Sequence, residues 1–226
     1  MFQGFDDQTF EFFMAIRFNN NREFFLANHD WYRDHVRVPC LDLAEALNDA
    51  VEALDPELER RPQKVVSRIN RDVRFSNDKS PYRDYLWLAF RRPGEARTTT
   101  LGVYVDISDS GLNYGMGFYD ENLPLMRAHR AQLTRDENEF AAIAREVEKE
   151  FTLHPRSYKR MRIPETLSED MKKWYPLRGF YVEKSIDDFD LLKSPALADE
   201  IAAGYKKLKP LYDYFMGLIP IEEDIS

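Results

Sequence analysis

The chain has 226 residues, enough to bury a sizeable core, and its 16 Phe and 12 Tyr exclude a disordered protein. A net charge of −8 argues against sequence-independent binding to nucleic acid, which needs a basic face. Cys40 is the sole cysteine, so no intramolecular disulfide can form, and no apolar run approaches the ~18–20 residues of a membrane helix.

The opening MFQGFDDQTF lacks a basic segment followed by an apolar one, so no signal peptide is expected and the cytoplasm is the expected compartment. Residues 7–18 carry Phe10, Phe13, Met14 and Ile16 at helical spacing, and Asn19-Asn20-Asn21 ends the rhythm. Asn21 is the expected N-cap of a second helix. The rhythm Phe25, Trp31–Tyr32, Val36 continues to Pro39, where a kink or break is expected. Leu41, Ala44, Leu47, Val51 and Leu54 then form an apolar stripe that stops before Asp55-Pro56, so residues 1–57 read as helical.

From Lys64 to Phe75 the pattern alternates. Val65, Ser67, Ile69, Arg71, Val73 and Phe75 fall on one, mostly apolar face, with Val66, Arg68, Asn70, Asp72 and Arg74 on the other, which predicts a strand. A loop over Ser76–Pro81 leads to a second strand from Tyr82 or Tyr85 to Phe90, and Arg91-Arg92-Pro93-Gly94-Glu95 reads as a turn. Strands over 100–108 and 112–119 flank Asp109-Ser110. A hairpin centred there pairs Ile107 with Leu112, Val105 with Tyr114, Val103 with Met116 and Leu101 with Phe118, an all-apolar face. Its other face pairs Asp106 with Asn113, Tyr104 with Gly115 and Gly102 with Gly117. Clustered strand glycines mark close approach by a second backbone or by a ligand.

Asn122-Leu123-Pro124 opens another helix, and Thr134 with Glu137 predicts a capping box ahead of the stripe Phe140, Ile143, Val147 and Phe151. Residues 154–193 read as irregular, with a short strand at Gly179–Glu183. A last helix starts at Ser194-Pro195 and is expected to kink at Pro210. The expected fold is therefore α+β in one domain over 1–226: an antiparallel sheet of about four or more strands within 63–120, packed with helices from 1–57 and from a mainly helical 121–226.

With these elements in hand, several stretches stand out: Gly4-Phe5, NNNREFF at 19–25, RINRDVRFSNDKSPYR at 68–83, YVDIS at 104–108, GMGFY at 115–119, YKRMRIP at 158–164 and Gly179-Phe180-Tyr181. In kind and order they resemble a widespread family, domain of unknown function 2461, almost end to end. Phe24 stands where the family usually has Trp, and Arg83 where it usually has Lys. The resemblance implies membership and no activity, and it carries over no catalytic or binding residue.

The chemistry is concentrated at residues 68–83. Arg68, Arg71, Arg74, Lys79 and Arg83 are the candidate ligands of a phosphate or carboxylate, with Asp72 or Asp78 as a base or as an orienter of an arginine. Tyr104, Gly115 and Gly117 are the candidate floor of such a cleft. The alternative is an ionic network that pins strand, loop and helix, in a structural or protein-interaction module. Cofactors, reaction and oligomeric state stay open. Histidines 29, 35, 129 and 154 have no metal-ligand spacing, no GxSxG elbow occurs, and Cys40 reads as a packed thiol. A second basic run, Arg156, Lys159, Arg160 and Arg162, reads either as a solvated loop or as an addition to a phosphate or RNA surface.

Overall fold

The computed structural model describes residues 1–74, 76–94 and 99–220. Phe75, expected in a strand, and Glu95, expected in a turn, lie outside the described residues. The architecture is α+β, as the residue pattern predicts: helices accompany a five-stranded antiparallel sheet in the order β1-β2-β3-β5-β4. The strands are β1 (Tyr85–Phe90), β2 (Gly102–Ser108), β3 (Gly111–Gly117), β4 (Thr152–Ser157) and β5 (Leu177–Ile186). The chain divides into two compact units. One comprises residues 1–90, 104–114 and 185–204; the other comprises 91–103, 115–184 and 205–226.

In the first unit, α1 (Asp7–Phe18) begins at a reciprocal cap in which the Asp6 carboxylate accepts from Thr9 N. Asn21 caps α2 (Arg22–Ala27) through Phe24 N, as expected. After α3 (His29–Tyr32) the chain makes a π-helical turn over Arg33–Arg37 and continues into α4 (Val38–Ala46) and α5 (Asn48–Leu54). The cause lies at Pro39. Its ring nitrogen cannot donate to the His35 carbonyl four residues back, and the buried Thr9 hydroxyl donates to that carbonyl instead, at 2.5 Å. The expected break is thus absorbed as a widened turn. Phe12, Phe13, Ile16, Leu43, Leu47 and Val51 are fully buried around Cys40, whose thiol burial pushes up to about 12.

The segment from Lys64 to Phe75 departs from expectation. It begins as a short helix, α6 (Pro62–Val65), and then runs extended with isolated bridges, Val66 to Leu88 and Asn70 to Tyr82, in place of a continuous ladder. The hairpin of β2 and β3 turns at Asp109-Ser110 as predicted, and all eight residues of its apolar face are buried. On the opposite face, Asn113 Nδ2 donates to Asp106 Oδ1 at 3.1 Å, the cross-strand pair required by that register.

In the second unit, Asn122 caps α7 (Leu123–Arg135) through Leu125 N. The expected capping box at Thr134 does not form. Thr134 is still helical and donates to the Arg130 carbonyl, while the Glu137 carboxylate accepts from Ser168 N and leaves α8 (Asn138–Val147) without a side-chain cap of its own. Residues 154–193 are more regular than their composition implies. They hold β4, α9 (Glu169–Lys172), β5 and α10 (Phe189–Leu192), and β4 pairs antiparallel with β5 with Pro155 opposite Phe180. Pro155 is tolerated because β4 is an edge strand. The final helix, α11 (Ala196–Gly217), passes through Pro210. No described helix is long and apolar enough to cross a membrane.

The core of this unit is aromatic. Phe140, Trp174, Phe180 and Phe215 form a chain of ring contacts 4.8–5.3 Å apart, and His129 is fully buried against Phe140 at 4.5 Å. Burial, with the charge of Arg130 added, pushes the imidazole from 6.5 down to about 3. The unfolded chain therefore takes up a proton near 6.5 that the folded chain refuses until about 3. This contribution to stability is complete above pH 6.5 and is lost as the pH falls towards 3, at about 1.4 kcal/mol per unit. His129→Gln should flatten the acid limb of a melting-temperature profile in this window. An acid limb as steep as the parent's would show that His129 is not the group responsible.

Candidate functional site

The segment 68–83 lies within the first unit as two extended arms closed by a loop. Ser67 N donates to Trp87 O, Arg71 N to Pro81 O and Arg83 N to Ile69 O, each at 2.8 Å. Between these sparse bonds, side chains take the place of a strand neighbour. The Asn20 amide binds both backbone groups of Tyr82, accepting from its N–H at 3.0 Å and donating to its carbonyl at 2.9 Å. Ser67 Oγ accepts from Trp87 N, and Arg37 donates to Ser67 O at 2.9 Å. Arg17 donates to Asp84 at 2.6 Å and grips Asp109 with both terminal nitrogens. Phe25 stacks on Tyr82 with ring centroids 4.3 Å apart.

The five candidate cations separate by role. Arg83 donates through one nitrogen to the carbonyls of Arg68 (2.8 Å) and Asn70, and its guanidinium lies over the Trp87 ring at 4.7 Å. Lys79 donates to the Val73 carbonyl at 3.0 Å and closes the loop. Arg71 pairs with Asp78, whose other oxygen caps Ser80 N. Arg74 pairs with Asp72 two residues away through three nitrogen–oxygen contacts of 2.6–3.2 Å, and both side chains are exposed, at 76% and 57%. Arg68 is exposed, and its side chain has no partner among the described residues.

These pairs set the acidities. The Arg74 side chain first, and its backbone N–H second, hold the Asp72 carboxyl down at about 2. The Arg71 guanidinium, with Ser80, depresses Asp78 further. Carboxylates so weakly basic suit orienting an arginine far better than abstracting a proton near neutral pH.

Tyr104 is in β2, half-buried, in the same unit as the arms, whereas Gly115 and Gly117 belong to the second unit. There the two glycines meet a backbone: a Cβ on Gly115 would stand 1.9 Å from the Val182 carbonyl oxygen, and one on Gly117 2.4 Å from that of Phe180. Of the two causes that clustered glycines signal, close approach of the β5 backbone accounts for these two. Among the described residues, no group of three or more His, Cys, Asp or Glu could hold a metal ion. The supporting residues Asn20, Arg37 and Trp87 were not candidates from the sequence. The NNNREFF stretch contained the available signal, since its Asn20 and Phe25 brace Tyr82.

Residues 8–214 match the family described as "Conserved hypothetical protein (DUF2461)". The chain belongs to this family. No curated protein matches it. Within this DUF2461 chain, two of the family-like stretches, 19–25 and 68–83, meet at Tyr82 and share one bonded frame.

Two substitutions test these roles. Arg83→Ala should cost about 1–3 kcal/mol in denaturant unfolding, and Arg83→Lys should recover little of it, because an ammonium cannot both bridge two carbonyls and lie flat on Trp87. Full recovery with Lys would show that charge alone matters. Gly115→Ala should lower stability by at least about 2 kcal/mol, since its methyl group overlaps the β5 backbone. A neutral substitution would mean that the contact is slack.

Proposed function

We propose that the protein binds a small anionic, phosphate-bearing ligand through the cations of the 68–83 loop, in the cytoplasm. The observation that carries this reading is the surface position of Arg68 and Arg74. Arg83 and Lys79 tie the loop through backbone carbonyls, which leaves Arg68 and Arg74 at the surface. The Arg74–Asp72 pair is exposed and local, the kind that water and salt weaken most, so a multivalent anion can compete for the guanidinium. The depressed carboxyls of Asp72 and Asp78 favour binding over acid–base catalysis. The net charge of −8 favours a small ligand over nucleic acid. A single buried cysteine fits a reducing compartment.

A second reading, an ionic scaffold in a structural or interaction module, is favoured by the Arg71–Asp78 pair and the carbonyl ties of Arg83. One experiment separates the two. A ligand that binds only the folded state stabilises it by about 2.7 kcal/mol at a hundred times its dissociation constant. Pyrophosphate at low ionic strength should therefore raise the melting temperature of the parent by several degrees, and added salt should erase the shift. Arg68→Ala with Arg74→Ala should melt like the unliganded parent and lose the part of the shift that these two arginines supply. A parent that shows no shift, together with a destabilised double variant, would leave the scaffold reading in place.

A further inference from the structure

We propose a second anion site in the other unit, formed by Arg130 and Arg178 over the ring of Tyr158, which takes a phosphoryl group. Arg130 comes from α7 and Arg178 from β5, and their guanidinium carbons lie 5.7 Å and 5.1 Å from the Tyr158 ring centroid. Tyr158 is held in place by its own backbone N–H, which donates to the Pro176 carbonyl at 2.9 Å. Two elements distant in sequence thus aim two fixed cations at one aromatic ring.

The charges at this site are incompletely matched. Arg130 is half-buried and donates to the Leu177 carbonyl at 2.8 Å, with no carboxylate at ion-pair distance among the described residues. Burial is the largest influence on it and disfavours its charge; the phenols of Tyr158 and Tyr175 offset that in part, and Arg127 adds to it. Arg178 pairs with Glu121 at 2.5 Å, yet its Nε–H is buried with no hydrogen-bond partner. A desolvated guanidinium without a counter-ion, beside a second one with an unused buried donor, is costly in a folded protein. An oxyanion against the accessible edges of the two guanidinium groups supplies the counter-charge that Arg130 lacks.

A phosphoryl group fits better than a carboxylate. Its oxygens point in several directions and can accept from two guanidinium forks and from the Tyr158 hydroxyl together. Directly after Tyr158 the chain exposes Lys159, Arg160 and Arg162, which have no side-chain partners among the described residues and raise the local positive potential. This is the basic run that the 68–83 reading leaves unused, and the present proposal does not depend on that reading.

The test is titration of the full chain with inorganic pyrophosphate at low ionic strength, by calorimetry and by NMR of arginine Nε–H groups. The Arg178 Nε–H resonance should move on addition of pyrophosphate. Arg178→Gln should weaken one binding event by about tenfold or more, the usual consequence of losing a charge-assisted hydrogen bond. Tyr158→Phe keeps the ring and should weaken it less. Arg130→Met should abolish the event, and where it fails to fold, Arg178→Gln decides. The Arg68→Ala, Arg74→Ala double variant should leave this event intact. Binding indifferent to Arg178→Gln but lost in the loop variant would overturn this site while sparing the loop reading. A single-stranded RNA that binds with a steep salt dependence while pyrophosphate does not would also overturn it.

Discussion

The region around 68–83 depends on how an extended backbone is satisfied where a regular ladder is missing. Buried N–H and C=O groups need partners, and here the nearest strand supplies only a few. The remainder come from side chains: the Asn20 amide on both groups of Tyr82, Ser67 Oγ on Trp87 N, Arg37 on Ser67 O and Arg83 on two further carbonyls. Asn20 and Arg37 tie the region to the N-terminal helical segment, Ser67 ties it to β1, and Arg83 ties the arms to each other. The loop between them is therefore held without a hydrophobic core of its own.

That demand divides the cations. A guanidinium committed to carbonyls is structural, because removing it takes away charge-assisted hydrogen bonds that join separate stretches of backbone. Arg83 is of this kind. A guanidinium committed to an exposed carboxylate two residues away is only loosely engaged, and Arg74 is of that kind. The sequence offers all four arginines as ligands of one anion, and only the acceptors that fold around them separate one role from the other. In the second unit the same logic points the opposite way: Arg130 is half-buried with a backbone carbonyl as its hydrogen-bond acceptor, and Arg178, though paired with Glu121, keeps a buried Nε–H with no partner among the described residues.

The two units also differ in how they use aromatic rings. In the first, Phe25 on Tyr82 and Arg83 on Trp87 fasten a surface loop to what lies beneath it. In the second, rings from Phe140 to Phe215 enclose His129, so a titratable group becomes a neutral core residue. The glycines of β3 serve a third purpose. With no Cβ, Gly115 and Gly117 let the backbone of β5 come closer than any side chain permits.

Much of the fold was determined by local pattern. α1, the Asn21 and Asn122 caps, β1, the hairpin with its buried face, and α11 all follow from periodicity and cap chemistry, because these act within a few residues. The failures share one cause. Alternation at 64–75 records which side chains are buried, but a ladder needs a partner in register, and there side chains from distant residues take the bonds. The Thr134 box failed because Thr134 donates to Arg130 O and Glu137 caps Ser168 instead. β4 was missed because Pro155 and its charges suit an edge, and edge position is a property of the assembled sheet. The sequence located the basic residues of the 68–83 loop but gave no sign of Arg130 or Arg178, which α7 and β5 bring to Tyr158 only in the folded chain. Which of them are neutralised depends on acceptors brought from far along the chain, and only the tertiary structure decides that.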